Sequence, residues 1–451
     1  MSTRSQIAPI RFGLGLRLGE APPEDPQAWL QRQILQPADP PPGLTATEAL
    51  ITQNINVVLR DEASGVARTR APELRAALER HGVAIPDTSP LPALVRRETL
   101  RWAARRLSSP DPFRDRLVDF WANHFTTSRR GGAMATLPAA LEHEAIRPHV
   151  TGRFADMLVA VTRHPAMLIY LNNNASVGPN SAASRNGRRG LNENLAREVL
   201  ELHTLSPAGG YTQGDVQEFA KILTGWRVAG DRAPYDFLWQ PQAHEPGPKH
   251  LLGRRFEEGE GSQEAALRFL AAQPATWRFL AAKLARHFVA DDPPPEAVRA
   301  LETVLRDTDG DLAAVSLALV SLPQAWDPPL RKFRAPQDYV VAACRALGVT
   351  EQRADLVIGG LIALNQPLWI APQPNGWPDR MTAWAAPEAL MRRVDWAYTV
   401  AGRAGVSDLP GITAAALGPL ARAETVGAMR GAGSMRDAAT LLIGSPEFMY
   451  R

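Results

Sequence analysis

Along most of the chain apolar residues recur every three to four positions, the spacing that lays one face of an α-helix against a core. The pattern predicts helices over 27–35, where Trp29, Leu30 and Ile34 share a face and Pro37 ends the run, and over 46–60, 72–81, 93–107, 113–125, 142–149 and 154–163. Within 113–125, Leu117, Phe120, Trp121 and His124 fall on one side. A proline-rich link at 36–43 and a turn-rich break at 86–92 interrupt the series. Periodicity then fails over 172–190, a stretch rich in Asn, Ser and Gly, and a loop of that length is unusual unless functional or disordered. Helices return at 192–205 and 213–224. The second is framed by Thr212 and Asp215 as a capping box and by Gly225 as its stop. Residues 226–256 read as irregular or as short strands, and helices resume at 263–272, 277–289, 295–306 and 311–322. The last third reads as a helix, a proline-rich loop over 366–379, and further helices to the end. Segments 311–326 and 435–451 both run from an apolar helix through a serine and a proline to an aromatic, a shared helix-stop device.

The fold class that follows is mostly α: an irregular multi-helix bundle with long loops and at most a few short strands. Three regions, 1–110, 111–260 and 261–451, are expected to pack as one compact unit. A hydrophobic content of 45% over 451 residues allows a large core divided into two or three lobes. The formal net charge of +3 is too small for a nucleic-acid binder. Lys221, Lys249, Lys283 and Lys332 are the lysines, so the basic character is arginine, which is assigned here to base composition rather than to mechanism. The single cysteine, Cys344, lies in an apolar run and reads as a buried, inert thiol. No segment approaches the ~20 apolar residues of a membrane span, and the first residues lack a secretory apolar core. The default expectation is the cytoplasm.

The densest polar constellation is LNENLAREVLELHTL, 191–205. At 100° per residue Asn194, Arg197, Glu198 and Glu201 share a narrow arc, opposite Leu195, Val199, Leu202 and His203. Two carboxylates three residues apart can converge on one metal ion or one basic group. The plainer alternative is a solvated face with Arg197 paired to Glu201. The loop before this helix carries Arg185, Arg188 and Arg189, and a basic loop feeding a helix N-terminus suits an anion. His124 and His203 read first as core histidines. His244, among prolines and glycines in AHEPGPKHLLG, is set in irregular backbone where it could ligate a metal or serve as acid or base. Asp307, Asp309 and Asp311 fail as a calcium loop, because glycine and the closing carboxylate are misplaced, and Asp311 reads as a helix cap.

These motifs together resemble the bacterial family known as domain of unknown function 1800. The resemblance is carried by RFGLG at 11–15, FWANHF at 120–125, RHPAMLIYLNN at 163–173, NENLAREVLELHTL at 192–205, GGYTQGDVQEFAKILTGW at 209–226, His244 with GPKHLLG, and SPEF at 445–448. It draws attention to Asn192, Glu193, Arg197, Glu198, Glu201, Tyr211, Asp215, Trp226 and His244. It also implies a partner, a sulfatase-like protein of the family known as domain of unknown function 1501, and export in complex with it.

Two functions from different classes follow. In the first, an enzyme uses Glu198, Glu201 and His244, with His203 or His124, around a divalent iron, manganese or zinc ion for hydrolysis or oxidation. Asn192, Asn194, Arg197, Arg188 and Arg189 hold the substrate. In the second, the same polar residues form a buried network that fixes the fold, and the protein binds or completes its sulfatase-like partner.

Overall fold

The structure is a computed structural model that describes residues 3–37, 42–64, 70–184, 190–326 and 330–451. Its secondary structure is 62% helical with four short strands, so the chain is mostly α. The strands form two antiparallel hairpins, Trp226–Val228 with Phe237–Trp239 and Lys249–Leu251 with Arg254–Phe256. Both lie in the stretch where helical periodicity is absent. The helix over Gln213–Leu223 starts on the Thr212–Asp215 capping box and stops at Gly225, whose φ of +90° and contact with the Trp239 ring leave no room for a side chain. Asp311 caps the Leu312–Ser321 helix, accepting from Ala314 N at 2.9 Å.

Two expected helices depart from regular α geometry. Residues Glu142–Ile146 form a π-turn followed by a 3₁₀ turn over Arg147–His149. The motif helix is α over Asn194–Glu198 and π over Val199–His203. Apolar spacing alone cannot distinguish these from an α-helix, because one inserted residue shifts the face without breaking the pattern. π-turns are rare, and they occur often at functional sites.

The buried apolar side chains form two clusters. One gathers most of the chain up to Trp326, and the other takes the C-terminal helices together with Trp102, Ala103 and Leu107. The RFGLG segment stitches them together: Phe12 packs in the first, Leu14 and Leu16 in the second. Gly15 has a φ of +83°, which favours glycine. Trp369, in the proline-rich loop, packs against both clusters. The loop itself is held by Asn123, which donates to the Trp377 carbonyl at 2.9 Å and accepts from Trp377 N at 2.7 Å.

Arginine holds much of this together, a role that composition does not suggest. Arg11, Arg106, Arg334, Arg345, Arg393 and Arg451 are among the largest fully buried side chains. Arg345 donates to the carbonyls of Arg106 and Leu107 at 2.9 Å, ending the Leu91–Ser108 helix, and to Gly15 O at 2.8 Å. Arg114 does the same for the Pro26–Leu35 helix through Gln33 O and Gln36 O. Arg116 reaches Gly13 O and, at 2.7 Å, Asp338. Arg451 binds the other Asp338 oxygen at 2.7 Å and donates to His287 Nε2 at 3.3 Å. The remaining His287 proton, on Nδ1, then points to Asp379 at 3.2 Å. Cys344 is buried, and burial pushes its thiol up to about 12, so it is inert at neutral pH.

Burial alone would raise the Asp338 carboxyl, but Arg116 and Arg451 overcome this and hold it well below the usual carboxylate range. Asp338→Asn should therefore cost about 3–5 kcal/mol at neutral pH, since it leaves two guanidiniums short of their counter-charge. The folded-state pKa lies below the unfolded value of 3.8, so the stabilisation is complete above that value and lost as pH falls through the folded one. Urea unfolding of both proteins should show a gap that narrows as pH is lowered from about 4. A gap constant with pH would assign the loss to packing instead.

Candidate functional site

The motif helix starts from an asparagine turn. Asn192 Oδ1 accepts from Asn194 N at 2.9 Å, and Asn192 N donates to Ser176 Oγ at 3.0 Å, so Asn192 shapes the helix entry. The Asn194 side chain is exposed. Arg197 reaches back to Glu193 at 3.0 Å and across to Gln213 Oε1 at 3.0 Å, while Gln213 Nε2 donates to Glu193 at 2.8 Å. The expected Arg197–Glu201 pair is replaced by this triad, which ties the motif helix to the start of the next one. Arg185, Arg188 and Arg189 lie outside the described residues.

Glu198 and Glu201 are left facing a different set of groups. Glu198 is half-buried and has no hydrogen-bond or ion-pair partner among the described residues. Burial, then the neighbouring Glu201, push its carboxyl above the usual range, and Arg197 only partly opposes them. Beside it stands Tyr170, whose hydroxyl is buried without a hydrogen-bond partner and whose ring lies 5.0 Å from the Arg130 guanidinium. Tyr211 faces Glu201; burial, then that carboxylate, raise its phenol. Three separate motifs thus converge: Tyr170 from RHPAMLIYLNN, Glu198 and Glu201 from the motif helix, and Tyr211 from GGYTQGDV. Tyr170 and Arg130 escape a reading by helical arc because they come from other elements. The only sequence signal for Tyr170 is that it closes an apolar run just before the long loop.

His203 points the other way, into the core. Its ring lies 6.0 Å from that of His124, and both are 1% exposed among Trp121, Phe125 and Phe154. His124 Nε2 donates to the His203 carbonyl at 3.2 Å, and Nδ1 of each histidine meets no partner. Burial, then Lys283, lower both rings, His203 to about 3, so both are neutral. Burial in turn brings Lys283 down to about 8, against the pull of Asp379.

His244 occupies a third place. It is 5% exposed, with Nδ1 donating to Thr224 O at 2.8 Å and Nε2 accepting from Lys249 Nζ at 3.0 Å. The Lys249 ammonium also donates to the Glu245 carbonyl, and Glu245 Oε1 accepts from Asn180 Nδ2 at 2.6 Å. Gly178 packs so tightly on Glu245 that a Cβ would sit 2.6 Å from its backbone. His244 is thus the centre of a knot that closes the second hairpin onto the loop before the motif helix. The five side chains proposed to share a metal are distributed over three environments. Among the described residues no three His, Cys, Asp or Glu side chains gather as a metal site.

Because both His244 ring nitrogens are engaged, His244→Ala should destabilise the fold by about 1–3 kcal/mol for each buried group left unpaired. His244→Gln, which can keep one donor, should lose less. Chemical denaturation of the two variants checks this. Full stability with altered function at the Glu198 face would return His244 to the chemistry.

No helix among the described residues is long and apolar enough to cross a membrane. No curated protein matches the chain, and no solved structure does. The family model described as protein of unknown function (DUF1800) matches residues 8–450, which include RFGLG, the motif helix and SPEF. The chain belongs to the DUF1800 family.

Proposed function

We propose that the chain is an enzyme whose acid–base pair is Glu198 and Glu201, acting in a hydrolytic reaction on a polar substrate. The observation that carries this reading is Glu198 itself: a half-buried carboxyl with no hydrogen-bond or ion-pair partner among the described residues, beside the buried Tyr170 side chain. Groups left unsatisfied in this way are costly unless something else meets them. Burial and Glu201 both disfavour the charged form of Glu198, which suits it to be the member of the pair that gives up a proton. In the reaction, Glu201 takes a proton from water, the hydroxide adds to the electrophilic centre, and Glu198 gives its proton to the leaving oxygen. Tyr170 and Tyr211 hold the substrate through their hydroxyls, and Arg130 favours a group carrying negative charge.

A buried structural network would pair Glu198, and no hydrogen-bond or ion-pair partner is found for it among the described residues. Glu198→Gln and Glu201→Gln should each lower the turnover of a hydrolysed p-nitrophenyl ester, phosphate or glycoside by about 10²-fold or more, with little change in melting temperature. Loss of stability in step with activity would sink the reading. A divalent iron, manganese or zinc ion, if the reaction uses one, would be held by the same two carboxylates. Elemental analysis of protein purified without chelator or polyhistidine tag, repeated on Glu201→Gln, tests that version.

One observation favours an assembly role alongside the enzyme. Met391, Val394 and Tyr398 form an exposed stripe on the Pro387–Ala404 helix at helical spacing. In this second reading the stripe is where a sulfatase-like partner docks. Val394→Glu should then abolish co-purification with that partner and leave stability within about 0.5 kcal/mol; unchanged co-purification would discard the stripe as the contact.

A further inference from the structure

Away from the motif face, the Leu91–Ser108 helix, the π-turn at Glu142–Ile146 and the proline-rich loop line a partly open cavity of about 300 Å³. A smaller one of about 50 Å³ adjoins it and shares Trp102, Glu142 and Trp369 as walls. The size is at the low end for a small-molecule site.

The charges on the wall are nearly all matched. Arg105 and Arg147 bind Asp115 at 2.8 and 2.7 Å, and Arg101 binds Glu98 at 3.2 Å. Arg106 is shared, with Nη2 at 2.5 Å from Asp119 and 2.8 Å from Glu142. Arg147 Nη2 adds a longer contact to the same Glu142 oxygen at 3.7 Å. Burial, then Glu142, push Asp119 up to about 6 even with Arg106 opposing. Glu142 Oε2 is left over: its side chain is 9% exposed, and this oxygen meets no hydrogen-bond donor. The orphan on the cavity wall is therefore an acceptor, and a ligand that meets it must donate.

Three kinds of small molecule can be weighed against this wall. An anion would meet the unpaired Glu142 oxygen. A cation would sit among Arg101, Arg105, Arg106 and Arg147. A neutral molecule rich in hydroxyls donates to Glu142 and accepts from the arginines, whose remaining N–H groups are directed by their fixed fork. Two indoles complete the wall. Trp102 already carries the Arg106 guanidinium on its ring at 4.3 Å. Trp369 sits at φ +56°, a strained conformation for a bulky residue, held where both cores meet and where its carbonyl accepts from Arg129 N at 2.6 Å. A flat apolar face rimmed by hydroxyls, the shape of a sugar ring, matches an aromatic wall with polar groups around it. We propose that this cavity binds a neutral, sugar-sized polyol through Glu142, the surrounding arginines and the Trp102 and Trp369 rings. The site is distinct from the Glu198 face and stands whether or not that face is catalytic.

The test uses the full chain with glucose, galactose and mannose as neutral probes, and glucosamine and glucuronate as charged controls. Calorimetry and saturation-transfer NMR read the binding. At least one neutral hexose should bind with a millimolar Kd, as expected for so few atoms, and at least about threefold more tightly than either charged derivative. Glu142→Gln should weaken it about tenfold or more, the loss of one charged acceptor. Ala104→Leu, which fills the cavity from its helical wall without touching the charges, should abolish binding with the melting temperature unchanged. If Glu142→Gln does not fold, Ala104→Leu decides. The proposal is overturned if no neutral hexose binds at about 50 mM, if a charged derivative binds more tightly, or if Ala104→Leu binds as the unmodified protein does.

Discussion

The constraint on which this fold depends is the placement of guanidinium groups inside it. A chain with many short helices has many helix ends, and each end leaves carbonyls that no intrahelical donor reaches. Arg345 and Arg114 supply donors to the ends of the Leu91–Ser108 and Pro26–Leu35 helices. Arg116 and Arg345 take the carbonyls of Gly13 and Gly15 in the segment that crosses between the two cores. A guanidinium can do this because its five donors are spread in a plane, so one side chain serves several acceptors on different elements. The cost of burying the charge is then met by few carboxylates, each used twice: Asp338 by Arg116 and Arg451, Asp115 by Arg105 and Arg147. Lysine, a compact and strongly hydrated charge, could not take the same places.

This also marks where the sequence is readable. Helix positions follow from apolar spacing, and the caps at Thr212 and Asp311 follow from local rules that need no tertiary knowledge. The buried face of 113–125 follows as well, with Leu117, Phe120, Trp121 and His124 all inside. The arginine roles do not. A buried arginine looks like any other arginine until its acceptors, tens to hundreds of residues away, are known. The partners of His244 were hidden for a related reason. Irregular backbone does present a side chain exactingly, but here it presents the ring to Thr224, Lys249 and Gly259, and the knot closes on itself. The motif helix was half legible: its polar arc is where the spacing puts it, but Arg197 turns back to Glu193 and leaves the two carboxylates to tyrosines from other elements.

Besides the π-helical segment Ala8–Phe12, two π-turns bear on the candidate sites. One carries Glu142 and the other carries Glu201 and His203. A π-turn inserts a residue into a helix, so the side chains after it are rotated relative to those before. In the motif helix this lets Glu198 and Glu201 face the half-exposed tyrosine side while His203 is directed into the aromatic cage with His124. A regular α-helix keeps a fixed 100° step and gives less freedom to aim neighbouring groups into different environments.

The comparison between Glu142 and Glu198 shows what a leftover carboxylate can mean. Both are acids short of partners, but their surroundings ask for different ligands. Glu142 is held by Arg106 through one oxygen, so it is anchored, and its second oxygen is left open to a donor. Glu198 has no such anchor and is pushed towards its neutral form, so it can also donate. An anchored acceptor among matched charges is suited to recognition, because nothing about it needs to change when a ligand arrives. A carboxyl whose charged form is disfavoured, with a second carboxylate beside it, is suited to moving a proton. In the two proposals, the same residue type therefore serves binding in one place and acid–base chemistry in the other. What separates the two roles is whether a guanidinium has already fixed the charge.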